Sequence, residues 1–128
     1  VYELLIFKPN FKQIKKTITL SENKIEFDFR GEDILLFRFE DEVRAIQNSC
    51  THMNLPLSSG VLDDNGHILC PFHGSAYCTQ DGTVQKWCEG LPEDMPPENV
   101  QMMKSMKQVP LKTFMALEYD KSIWVAQN

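Results

Sequence analysis

The stretch "CTHMNLPL", Cys50 to Leu57, puts a cysteine and a histidine one residue apart, and "LCPFHGSAY", Leu69 to Tyr77, puts a second such pair two residues apart. Neither stretch has the alternation of a strand or the period of a helix, so both read as loops. The full pattern is Cys50-x-His52, seventeen residues, then Cys70-x-x-His73. Four cysteines could form two disulfides in a secreted chain, which is the plainest reading of the count. A disulfide, however, has no need of a histidine at close range, and two of the four cysteines have one.

The surroundings read as β structure. Thr17 to Leu20, Lys24 to Phe29, Ile34 to Phe39 and Val43 to Gln47 are β-rich, and Ser21-Glu22-Asn23, Gly31-Glu32-Asp33 and Glu40-Asp41-Glu42 supply breaks between them. Ile25, Phe27 and Phe29 alternate with Glu26 and Asp28, as on a sheet with one wet face. Past Cys50 the turns tighten. Asp64-Asn65-Gly66 separates Val61-Leu62 from Ile68-Leu69, and Asp81-Gly82 separates Ala76 to Thr79 from Thr83 to Trp87, both with residues that tolerate positive φ at a hairpin bend. Each Cys/His loop is thus attached to a hairpin. A last pair, Thr113 to Tyr119 and Ser122 to Ala126 around Asp120-Lys121, would close the sheet. Glu89 to Gln108 breaks the pattern: Pro92, Pro96 and Pro97 open it, and a short helix is expected over Glu98 to Lys107, with Lys104 and Lys107 in its last turns. Val100, Met102, Met103 and Met106 give it a patchy apolar face, read first as core-filling, then as an adaptable partner surface, and last as a thioether site for soft copper.

The 128 residues are enough for one domain with a real core. A net charge of -5 and a pI near 5.1 argue against a nucleic-acid grip, which depends on Lys and Arg at phosphates. The longest apolar runs, Leu4 to Phe7 and Ile34 to Phe37 among them, fall far short of the roughly 20 residues that cross a bilayer. No membrane span or signal peptide is expected in this stretch of chain. It begins at Val1 rather than Met, which leaves a leader or anchor open.

Cys2His2 is a sound zinc ligand set, but zinc fingers usually keep the two cysteines together and the two histidines together. One thiolate and one imidazole from each loop suits two inequivalent metals instead: in a 2Fe-2S cluster, Cys50 and Cys70 can hold one iron while His52 and His73 hold the other. "CTH" followed seventeen residues later by "CPFH", with Gly74 after the second histidine, closely resembles the signature of a Rieske 2Fe-2S domain. The resemblance extends over the whole chain, with 89-108 as an insertion. It implies one all-β domain over 1-128, built of antiparallel sheets with a cluster-binding subdomain of two hairpin loops (50-57 and 70-77) plus a short helical or irregular insertion. It also implies one cluster per chain.

Two ferric ions, two sulfides and four thiolates sum formally to about -2, whereas exchanging two thiolates for imidazoles brings the sum to about 0. Reduction is then easier, and Rieske centres accordingly lie at about -150 to +300 mV against about -400 mV for plant-type ferredoxins. The quinol-oxidising branch of the family has an extra cysteine in each loop, joined as a staple. Here those positions resemble Leu55 and Phe72, which points to the ferredoxin and oxygenase branches. Ser75 and Tyr77 nevertheless match hydroxyls that, in the quinol-oxidising branch, donate to a bridging sulfide and a cysteine sulfur. Such bonds favour the reduced cluster, so a potential in the upper half of the range is expected.

The resemblance further implies that His52 and His73 lie near the surface, where their outer nitrogens could couple electron to proton transfer. Leu55, Pro56, Pro71 and Phe72 would form an apolar collar and docking patch. His67 is expected on a solvated strand. Cys78 and Cys88 flank the Asp81-Gly82 bend, which would pair Cys78 with about Gln85, so both are expected as reduced thiols. Together with the missing staple, this favours a reducing compartment, the cytoplasm or an organelle stroma. Lys8, Lys12, Lys15 and Lys16 with Phe7, Phe11 and Ile14 read as a solvated amphipathic edge, with docking on an acidic redox partner as the alternative. Trp87 and Trp124 read as core, and the scattered carboxylates offer no acid/base pair. The expected function is that of a ferredoxin-like one-electron carrier between redox proteins. Alternatives are a detached Rieske component of an oxygenase or of a nitrite or arsenite oxidoreductase, and a structural zinc domain.

Overall fold

The computed structural model describes residues 11–16, 24–119 and 122–127, which form two compact units, one of residues up to 47 together with those from 113 onward, the other of residues 48–112. In the first unit, the strands are β1 (Phe11–Lys16), β2 (Ile25–Phe29), β3 (Glu32–Phe39), β4 (Glu42–Gln47), β9 (Thr113–Tyr119) and β10 (Ser122–Gln127). They form one antiparallel sheet in the order β1-β10-β9-β4-β3-β2. The β4–β9 seam, through Ala45↔Phe114 and Ile46↔Thr113, joins the N-terminal meander to the C-terminal hairpin.

The alternation along β2 holds: Glu26 and Asp28 are exposed while Ile25, Phe27 and Phe29 turn inward. In β3 it fails, because Ile34, Leu35, Leu36 and Phe37 are all buried, so this strand is covered on both faces. The core gathers Phe29, Ile34, Leu36, Ala45, Phe114, Ile123 and Val125. Phe29 meets Phe114 edge to face at 5.8 Å, a contact worth about 1 kcal/mol beyond its buried area. The strand expected at Thr17 to Leu20, together with Lys8 and the Asp120-Lys121 bend, lies outside the described residues. Phe11 to Lys16, expected only as an amphipathic edge, is a strand pairing with β10.

The second unit carries β5 (Val61–Leu62), β6 (His67–Leu69), β7 (Ala76–Cys78) and β8 (Val84–Lys86) as an antiparallel meander. Its bends are made by aspartates: Asp63 Oδ1 accepts the N–H groups of Asn65 and His67, and Asp81 Oδ1 accepts the N–H and hydroxyl of Thr83. A bulge between Ala76 and Tyr77 shifts the second hairpin, so Cys78 donates its N–H to Thr83 rather than facing Gln85. The helix α1 (Pro97–Lys104) begins with proline in its first turn, as expected, and stops three residues short of Lys107 at the Ser105 cap. Only Met103 of its apolar residues is buried; Met102 and Met106 are exposed. Beyond it the chain returns to the meander, where Leu111 N–H donates to Gly82 O at 2.8 Å.

Candidate metal centre

Both Cys/His loops are built on one backbone frame. In the first, Cys50 N–H donates to Leu55 O at 2.8 Å while Cys50 O accepts from Asn54 N–H at 2.7 Å. In the second, Cys70 N–H donates to Ser75 O at 2.7 Å while Cys70 O accepts from Gly74 N–H at 3.2 Å. The residue four past each cysteine is left-handed, Asn54 at φ 58° and Gly74 at φ 77°. These are the residue types that accept that conformation most easily. Each frame then turns backbone N–H groups onto its own sulfur: those of His52 and Met53 onto Cys50, those of Phe72 and His73 onto Cys70. At Gly74 there is a second constraint, since a Cβ would stand 2.2 Å from the nitrogen of Gly90, whose N–H donates to His73 O at 3.0 Å.

Cys50 and Cys70 are both buried and hydrogen-bonded to each other through their side chains. The bond from Cys70, then those from Tyr77 and the loop N–H groups, hold the Cys50 thiol down to about 5 against the effect of burial. Cys70, which supplies the proton, is pushed up by that same bond and by burial. The first proton of the pair therefore leaves readily, and the second is held between the two sulfurs until a metal displaces it. The His52 and His73 rings meet edge to face with centroids 5.4 Å apart.

The tautomer of His52 is set by its surroundings. Its Nε2 lies 3.1 Å from the carbonyl oxygen of Met103, which can only accept, so the ring proton sits on Nε2 and the lone pair on Nδ1. That Nδ1 is buried and has no partner. A buried imidazole lone pair with nothing to accept is the expected state of a metal ligand before metal. Among the described residues no three His, Cys, Asp or Glu side chains converge on one ion position. The donors form a pair of thiols and a pair of imidazoles, which fits a two-metal cluster better than one tetrahedral zinc.

The two hydroxyls meet different cysteines. Tyr77, wholly buried, has its OH 3.2 Å from Cys50 Sγ, and burial foremost keeps its phenol protonated. Ser75 Oγ, also wholly buried, accepts the Cys88 N–H at 3.1 Å and bonds through its side chain to the Cys88 thiol. All four cysteines are free thiols. His67 heads β6, half-buried, with Nδ1 3.7 Å from the Asp63 carboxylate. Pro56, Pro71 and Phe72 of the apolar collar are exposed, and Leu55 is half-buried.

One expectation is corrected. His73 is half-buried, but His52 is only 4% exposed, enclosed by Trp87, Cys88 and the end of α1. The sequence reading missed three contributors. Thr51 Oγ1 lies 2.9 Å from the Tyr77 hydroxyl and donates to Val109 O at 2.6 Å. Cys88 Sγ lies 2.9 Å from His52 Nε2. Met103 acts through its carbonyl, which leaves no signal in a side-chain pattern. Trp87, expected as core, is buried, but its ring stands 5.0 Å from that of His52.

The family model of the Rieske [2Fe-2S] domain matches residues 10–113, and the chain belongs to that family. Its group is a Rieske 2Fe-2S cluster, one per chain. Over 50 residues, 39% of this chain, the sequence is 38% identical to the 3-phenylpropionate/cinnamic acid dioxygenase ferredoxin subunit of Photorhabdus laumondii. Over 49 residues it is 37% identical to the subunit of the same name from Escherichia coli K12. The match spans about half the length of those curated relatives, 48% and 46%. The fold resembles the ferredoxin of carbazole 1,9a-dioxygenase from Nocardioides aromaticivorans IC177, with TM-score 0.65 and 21% identity over 91% of this chain and 98% of that one. It also resembles the Sphingomonas yanoikuyae B1 ferredoxin (0.68, 20%, over 93% and 100%) and 30% of the terminal oxygenase of the Nocardioides system (0.71, 20%, over 93% of this chain). No helix among the described residues is long and apolar enough to cross a membrane.

Proposed function

We propose that this chain is a one-electron carrier of the ferredoxin type, moving electrons between a reductase and an acceptor oxidoreductase such as an oxygenase. Cys50 and Cys70 would hold one iron of the cluster, and His52 and His73 would hold the other. The bound cluster supplies a single reversible electron. The protein's part is to place the donors, set the ease of reduction and keep water away. The observation that carries this reading is the orphaned Nδ1 of His52, in a unit that also buries the hydrogen-bonded pair Cys50 and Cys70.

Tyr77 has its hydroxyl within reach of Cys50 Sγ, and a donor to sulfur stabilises the more negative, reduced state. This supports a potential in the upper half of the Rieske range. Exposed Pro71 and Phe72, next to half-buried His73, form the apolar face on which a redox partner docks. The relatives named as dioxygenase ferredoxin subunits favour an oxygenase as acceptor. Leu55 and Phe72 at the staple positions, with four free thiols, support a reducing compartment such as the cytoplasm. The likeness to part of a terminal oxygenase supports a second reading, a detached Rieske component of a larger enzyme.

The test is anaerobic purification, iron and acid-labile sulfide analysis, and reductive titration. A coloured protein with two irons and two sulfides that takes up one electron per chain and returns it to an added acceptor protein is expected. A colourless protein folded around zinc would contradict the reading. A large subunit co-purifying in equal amount would select the second reading.

A further inference from the structure

Outside the cluster ligands, the most enclosed group of chemically capable side chains in residues 48–112 gathers on the outer edge of His52. The Nε2–H points at two acceptors, the Met103 carbonyl at 3.1 Å and Cys88 Sγ at 2.9 Å. The Cys88 thiol in turn donates to that same carbonyl at 3.6 Å, closing a three-membered ring of contacts. The ring of Trp87 stands edge-on to the imidazole at 5.0 Å. Met103 lies inside the segment that departs from the β pattern, and Trp87 and Cys88 lie directly before it. His73, on the equivalent loop, is half-buried rather than sealed.

Two details show that the cap is built into the fold. Cys88 is held left-handed at φ 53°, an unfavourable conformation for a residue with a side chain, and its N–H is anchored on the buried Ser75 hydroxyl at 3.1 Å. Met103 lies in the last turn of α1, where carbonyls carry the negative end of the helix dipole, and it is the one buried apolar residue of that helix. An acceptor on the outer nitrogen of a ligating imidazole fixes the ring and raises its basicity toward the metal.

We propose that Cys88 and the Met103 carbonyl are positioning groups that clamp His52 by its outer nitrogen, so that segment 87-104 seals one of the two cluster imidazoles and leaves His73 as the only one open to solvent. The proposal rests on the Rieske reading above and adds an asymmetry between its two histidines. The clamp donates electron density to the cluster through His52 and so opposes the hydroxyl of Tyr77, which withdraws it.

The experiment uses the iron-loaded protein with its iron and sulfide content verified. Diethyl pyrocarbonate acylates accessible imidazole nitrogens, and mapping the adducts by mass spectrometry reads His52, His67 and His73 separately, with His67 as the internal control. His67 and His73 are expected to be labelled and His52 to react at least tenfold more slowly. Cys88→Ala is expected to speed His52 labelling at least tenfold and to shift the midpoint potential upward; Cys88→Ser, which keeps an acceptor, should restore part of both. Alanine and serine share the backbone preferences of cysteine, so the left-handed strain is common to all three proteins. Labelling of His52 as fast as His73 in the native protein overturns the proposal. So does a Cys88→Ala protein with unchanged labelling and unchanged potential. If Cys88→Ala fails to load iron, native labelling and Cys88→Ser still decide. Two irons per chain with both imidazoles labelled would sink the clamp and keep the Rieske reading; a protein without iron would sink the reading itself.

Discussion

The two cysteine loops share a hydrogen-bond frame and differ in where the histidine falls on it. In both, the cysteine closes on residues four and five further along, with a left-handed residue at the fourth position. His52 is the second residue of its frame and His73 the third, and their environments diverge accordingly. His52 is sealed under Trp87, Cys88 and α1, while His73 is bordered by exposed Pro71 and Phe72. The lesson is that the unequal spacing, which sets the motif apart from a zinc finger, belongs to two equal frames used from different positions.

The equivalence of the frames is broken most severely at the sulfurs. Cys50→Ser and Cys70→Ser should behave alike, each losing the iron and the visible absorbance of the loaded protein; retention of both irons by either variant would show that the loops do not share one cluster. A smaller effect separates the loops. Gly74→Ala meets both a left-handed φ and the Gly90 backbone, so it should cost about 3 kcal/mol in denaturant unfolding. Asn54→Ala meets the φ and loses only a long, exposed bond from the Ser49 hydroxyl at 3.5 Å, so it should cost about 1 kcal/mol. Equal losses would mean that the Gly74–Gly90 approach is not a constraint.

The next effect is on potential. Tyr77→Phe removes the hydroxyl beside Cys50 and should lower the midpoint potential by on the order of 50 mV, the one-electron equivalent of a hydrogen bond of about 1 kcal/mol. Protein-film voltammetry would read it, and an unchanged potential would mean that the hydroxyl does not serve the sulfur. Thr51→Val sharpens the point. The single Tyr77 hydrogen is contested by Cys50 Sγ and Thr51 Oγ1, because Thr51 spends its own on Val109 O. Removing the competitor should raise the potential by on the order of 10 mV. A fall would show that Thr51 instead holds the phenol in place.

Much of this was legible in the sequence, because the signals were local. Ligand-type residues, their spacing and the Asp-Gly and Asn-Gly bends each need only a few neighbouring positions, and the β5–β8 hairpins formed where those bends placed them. Period-2 alternation worked for β2, which has one wet face, and failed for β3, where Leu35 and Phe37 are covered as well. The bulge at Ala76 and Tyr77 has no composition of its own, so the Cys78 register was misread. The sealing of His52 was illegible because it depends on a backbone carbonyl 51 residues away and on a thiol that reads as an ordinary small hydrophobe.

The central claim is that two thiolates and two imidazoles of this chain divide between the two irons of one cluster. Pulsed EPR of the reduced protein tests it most directly, because only directly bound imidazoles couple strongly to the cluster spin. Two strongly coupled nitrogens are expected, one of them lost in His73→Cys while both irons remain. A reduced cluster with no strongly coupled nitrogen, or with coupling untouched by that substitution, would contradict the account.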